Sequence, residues 1–132
     1  MDADVLQMRR EYWEEVYATQ SGTLTLPART VRNDWGHGEQ VASPALIETA
    51  CRVIGPMSSP REVVQGDHTV AFCDFEVRLP WRLHEQAVVM HSATIQVSIG
   101  GAIQTYRVMG LDRGRPDALY LGCLCLKEEQ RA

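Results

Sequence analysis

Two side chains in this sequence stand where proton-transfer chemistry would need them. His37 lies between Gly36 and Gly38 in the run Asn33-Asp-Trp-Gly-His-Gly38. Glycine on either side lets the backbone approach a ligand closely and leaves the imidazole accessible. With an ordinary pKa of about 6.5, such a histidine suits general acid or base work near neutral pH; a solvated loop histidine is the competing account. Glu48 sits inside the apolar run Ala45-Leu-Ile-Glu-Thr-Ala-Cys-Arg-Val-Ile54. An enclosed carboxylate is costly unless it is paired or its pKa rises, so a buried Glu48 would be paired or catalytic. On a first helical turn open to water it would simply favour the helix dipole. Around this pair, Asp34 reads as a turn former, and Trp35, Gly36 and Gly38 would line a substrate site. His91 falls in the apolar phase between Val89 and Ala93, facing a cavity or hydrogen-bonded in a core.

Elements must hold these groups in place. Residues 4 to 18 put Val5, Met8, Tyr12, Trp13, Val16 and Tyr17 at helical spacing with charges between them, which predicts an amphipathic helix. Residues 21 to 31 carry β-forming side chains around Pro27, an irregular or edge strand. The turn formers of 33 to 38 predict a loop. Ser43-Pro44 is a helix start and Gly55-Pro56 a stop, so a central helix is expected over 44–55, apolar on most sides and therefore enclosed. Long strands fill 69–126. Residues 69 to 79 and 87 to 99 alternate, Gly100-Gly101 forms a primed hairpin turn, 102 to 111 runs back, and 118 to 126 is apolar on both faces. The expectation is one α+β domain over 1–132, with a curved antiparallel sheet wrapped around a central helix.

Composition bounds the partners. The chain has 132 residues, 13 basic and 17 acidic side chains, a formal charge of −4 and 45% hydrophobic residues. That is enough chain for a core without cross-links. Net acidity weighs against nucleic acid and anionic membrane, which need a basic field. Cys51, Cys73, Cys123 and Cys125 form no C-x-x-C pair and lie in apolar runs, so buried thiols are expected rather than a metal site. No apolar stretch reaches the roughly 20 residues that span a bilayer, and the start Met1-Asp-Ala-Asp4 lacks a signal-peptide pattern; the expected location is cytoplasmic.

The order strand, loop, enclosed helix and four antiparallel strands over residues 22 to 127 resembles the hot-dog superfamily of acyl-thioester enzymes. Trp35-Gly-His37-Gly38 is similar to the Gly-His loop of its hydroxyacyl dehydratases, and Glu48 to the acid that many members carry on the central helix. An Asp at the place of Asp34 is the nucleophile or base in one thioesterase branch. The spacing of eleven from His37 to Glu48 is shorter than in the dehydratase pattern, and no Phe follows the histidine. The resemblance implies thioester hydrolysis or hydration and dehydration of an acyl chain on CoA or a carrier protein, in fatty-acid or polyketide-type metabolism. His37 would orient substrate or move a proton, Glu48 would be base or acid, and backbone amides near residues 44 to 47 would polarise the carbonyl. No cofactor is implied, and a site shared between subunits implies a homodimer or larger homo-oligomer.

A second resemblance is to the NTF2-like cone of ketosteroid isomerase and the SnoaL-type polyketide cyclases. It rests on Trp35-Gly-His-Gly-Glu-Gln40 and on Val108-Met-Gly-Leu-Asp-Arg-Gly-Arg115 before the last strand. It implies a cyclase, isomerase or dehydratase using a carboxylate or histidine base. A third class, a non-catalytic ligand-binding or assembly domain, would use the same cavity without chemistry.

Overall fold

The computed structural model describes residues 2–27, 29–32, 39–42, 45–89, 93–112 and 117–128. The chain opens with helix α1 (Ala3–Val16), capped by Asp2, whose carboxylate accepts the Asp4 amide at 3.2 Å. Strands β1 (Gln20–Leu26), β2 (Arg29–Arg32), β3 (Glu39–Ala42), β4 (Ala45–Ile54), β5 (Arg61–Gln65), β6 (His68–Cys73) and β7 (Phe75–Pro80) follow. A 3₁₀ helix over Trp81–Val89 leads to β8 (Thr94–Ile99), β9 (Ala102–Asp112) and β10 (Tyr120–Lys127). Six strands close into a barrel in the order β1-β4-β7-β10-β9-β8, with β8 returning to pair with β1, and every pairing is antiparallel. The hairpins β2–β3 and β5–β6 form separate two-stranded sheets.

The expected α+β class and curved antiparallel sheet are present, the broad shape common to both resemblances. The helix expected over 44–55 is not: Ala45–Ile54 is β4, hydrogen-bonded to β1 on one side and β7 on the other. The run carries two periodicities, and the shorter one wins. Ile47, Thr49, Cys51 and Val53 alternate inward, whereas Leu46, Glu48 and Arg52 alternate outward to solvent. β-branched side chains are stiff at χ1 and suit a pleated surface. A six-stranded barrel also leaves no room for a helix, since side chains alone fill the interior of an eight-stranded one. Leu24, Leu79, Ile95, Val97, Val108 and Leu121 are fully buried in that interior.

Residues 87 to 89, expected as strand, instead end the 3₁₀ helix, whose Leu83 joins the barrel core. The Gly100-Gly101 turn is as expected: both residues have positive φ, 57° and 82°, a conformation that glycine adopts without strain.

Among the described residues, hairpin β5–β6 and helix α1 cover parts of the barrel's exterior. Hairpin β5–β6 lies over β9 and β10, with Val63 and Cys73 packed on Leu124 and flanked by Met109 and Leu126. It seats closely because Gly110 lacks a side chain: a Cβ there would stand 2.9 Å from Val63 Cγ1. Helix α1 packs on β7 and β10, its Trp13 ring 5.1 Å from Tyr120 and its Arg10 Nε donating to the Ala118 carbonyl at 2.8 Å.

Candidate functional site

Of the residues singled out by sequence, Glu48 lies among the described ones. Asp34, Trp35, Gly36, His37, Gly38 and His91 lie outside the described residues. Because position 48 belongs to a strand, the carboxylate falls in the outward phase between inward Ile47 and Thr49 and is exposed. Of the two accounts open for Glu48, an enclosed carboxylate or one open to water, its place on the strand gives the second.

Glu48 stands opposite Thr23 of β1 and shares with it a groove of about 570 Å³ on the outer faces of β8, β1 and β4. Ser21, Gln96 and Ser98 supply hydroxyl and amide groups, Ile103 an apolar wall, and Arg82 a guanidinium. Arg82 Nε is held by Glu14 Oε1 at 3.0 Å. Such a lining can donate and accept hydrogen bonds to a polar partner. Nucleophilic catalysis needs a nucleophile hydrogen-bonded to a base, and among the described residues Glu48 makes no such bond.

Among the described residues the barrel interior holds no second candidate. Burial pushes the Cys51 thiol up to about 11 and the Cys123 thiol up to about 12, and drives Cys125 well above its ordinary value. All three are therefore protonated at neutral pH, whereas a nucleophile or metal ligand must be a thiolate. Burial likewise raises the Tyr106 hydroxyl. Among the described residues no group of three or more His, Cys, Asp or Glu side chains is placed to hold a metal.

Three clusters among the described residues of the exterior are not marked as sites by the sequence. In the first, Glu76, 5% exposed, is ion-paired with Arg78 and lies 3.5 Å from Arg61, which also binds Asp112 Oδ2 at 2.6 Å. The Arg61 guanidinium is raised above its ordinary range, chiefly by that Asp112 hydrogen bond. Arg78 lies 4.5 Å over the Tyr120 ring, so the ion network continues into the Trp13–Tyr120 contact and ties both covering elements to the barrel. Alternation correctly makes Glu76 and Arg78 outward-facing, but it does not indicate that other elements cover that face.

The second cluster joins Arg10, 4.5 Å over Trp81, to His84, stacked on Trp81 at 4.8 Å, beside a groove of about 380 Å³ that Glu11, Glu14 and Glu85 also line. The third is the solvent side of α1. Met8 is 67% and Tyr12 59% exposed, and Val5 and Val16 continue the same stripe. The helix is amphipathic as expected, yet of its apolar side chains only Trp13 is buried. Tyr17, just past the helix, stands 6.3 Å edge-on from Tyr12 with Arg52 at 6.0 Å over its ring.

No protein-family model, curated protein or solved structure matches the chain. Among the described residues no helix is long and apolar enough to cross a membrane.

Proposed function

We propose that this protein is a non-catalytic binding module that works through the outside of its barrel. The observation that carries the reading is the row of large apolar side chains left in water along α1. Apolar side chains scattered singly on a surface are ordinary, but a contiguous row of them marks an interaction site. Two further facts support it. The barrel core is packed with apolar groups and neutral thiols, a scaffold rather than a reaction chamber, and Glu48 lies on the outer surface, in a groove whose polar lining is neutral apart from Glu48 itself and Arg82. The test is an acyl-CoA assay, covering hydrolysis of short and long saturated chains and hydration of crotonyl-CoA. The expected outcome is no turnover that differs between the wild type and Glu48→Gln.

The second reading retains acyl-thioester chemistry, of the hot-dog or cone type, with Glu48 as base. It is favoured by one observation: Glu48 and Arg82 share a groove large enough for part of an acyl substrate. Turnover that Glu48→Gln abolishes, with the circular dichroism spectrum unchanged, would establish this reading and end the first.

A further inference from the structure

We infer that the solvent side of α1 docks a helical segment of another protein that carries a row of Lys or Arg along one flank. The inference rests on the binding-module reading and names its partner. At about 100° per residue, Val5, Met8, Tyr12 and Val16 span only about 80° of the helix surface. Trp13, the residue that pins α1 to the barrel, lies about 100° around from the centre of that stripe. On the side of the stripe away from Trp13, Asp4, Glu11 and Glu15 fall within about 40° of one another. An apolar row and an acidic row therefore run side by side on the part of the helix turned from the barrel.

The other charges of α1 are engaged elsewhere or stand apart. Glu14 binds Arg82, and Arg10 donates to the Ala118 carbonyl and covers Trp81. Glu11 accepts from the neutral Gln7 amide at 3.1 Å, and among the described residues no ion pair is formed with it. On the opposite flank of the stripe Arg9 is the single cation.

This asymmetry selects the occupant. In an antiparallel two-fold pair of α1 helices the acidic row of one copy lies against the acidic row of the other. In a parallel pair a second copy offers only Arg9 to face the three carboxylates. Anionic lipid and nucleic acid would meet the acidic row with like charge. A foreign amphipathic helix with a basic flank satisfies both rows, the apolar one by packing and the acidic one by ion pairs.

The experiment titrates the full-length protein into a fluorescein-labelled synthetic heptad-repeat peptide with Leu along its seam and Lys on both flanks, and into the same peptide with Glu flanks. Like charge keeps either peptide from pairing with itself. Anisotropy is expected to show the Lys peptide bound about tenfold more tightly at low ionic strength. Met8→Ala with Tyr12→Ala should weaken that binding about tenfold with an unchanged circular dichroism spectrum, both side chains being exposed. Glu11→Lys with Glu15→Lys should reverse the preference. The inference fails if the Lys peptide does not bind, if the two peptides bind equally, or if loss of Met8 and Tyr12 changes nothing. It also fails if the wild type binds phosphatidylserine vesicles, or dimerises in sedimentation equilibrium, through Met8 and Tyr12. These outcomes leave the Glu48→Gln assay untouched, so failure of the docking inference is distinguishable from failure of the binding-module reading.

Discussion

Burial of the cysteines gives the barrel an alkaline limit. In the unfolded chain Cys51 and Cys123 release their protons around the ordinary value of 9.0, but in the folded barrel only near about 11 and about 12. Between those values the unfolded chain has lost protons that the folded one retains, so raising the pH favours unfolding. The stabilisation is complete below pH 9 and disappears as the pH climbs through the folded values. Each thiol contributes a slope on the order of 1 kcal/mol per pH unit within that window. The urea midpoint of the wild type should therefore fall more between about pH 8 and about pH 10 than that of a Cys51→Ala, Cys123→Ala variant. Equal falls would remove the thiols from the explanation. Tyr106, raised by the same burial, adds a decline common to both proteins.

At the level of elements, the seat of hairpin β5–β6 depends on an absent side chain. A methyl at position 110 would press on both Cγ atoms of Val63, at 2.9 and 3.2 Å, and Val63 is itself packed on Leu124. Gly110→Ala should cost about 1–3 kcal/mol, the usual penalty of overpacking. Adding Val63→Ala should recover part of it, and the pair of denaturation curves measures this directly. Were the double variant no more stable than Gly110→Ala alone, the contact would not be what holds the hairpin. This fit is invisible in sequence, where Gly110 reads only as a weak point in a strand. The amphipathic spacing of 4 to 18, the alternation after residue 93 and the Gly100-Gly101 turn are all legible, because each is a local pattern with one physical solution. β4 is not legible in the same way. Ala45 to Ile54 satisfies both a buried helix and a strand, and the choice is made by β1 and β7, which lie far away in sequence. The candidate site inherits that ambiguity: the choice turns Glu48 from an enclosed acid into a solvated one. The stripe on α1 was legible as residues but not as surface, since helical spacing cannot say which apolar side chain docks.

For the molecule as a whole, the closed barrel and its coverings differ in how they are held. Each barrel strand is hydrogen-bonded on both sides, whereas α1 and β5–β6 are attached by side chains: Trp13, Arg10, Val63 and the Glu76 network. Local opening draws on elements with fewer backbone ties. Hydrogen exchange should accordingly find the slowest amides in β1, β4, β7, β8, β9 and β10, with β5–β6 and α1 exchanging through smaller openings. Protection of β5–β6 equal to that of β10 would mean that hairpin and barrel open as one unit.

The pairing of β1 with β8 has a consequence for synthesis. β1 begins at Gln20 and its second neighbour only at Thr94, so most of the chain must leave the ribosome before the barrel can shut. β4 can satisfy one side of β1 early. The other side meanwhile presents unpaired backbone donors and acceptors, a template for whichever strand arrives first, including one from a neighbouring nascent chain. Once β8 has docked on β1, and β9 and β10 have filled the space between β8 and β7, the ring has no free margin left to offer. The same closure that protects the finished protein from strand-to-strand aggregation therefore concentrates that hazard in the interval before the chain is complete.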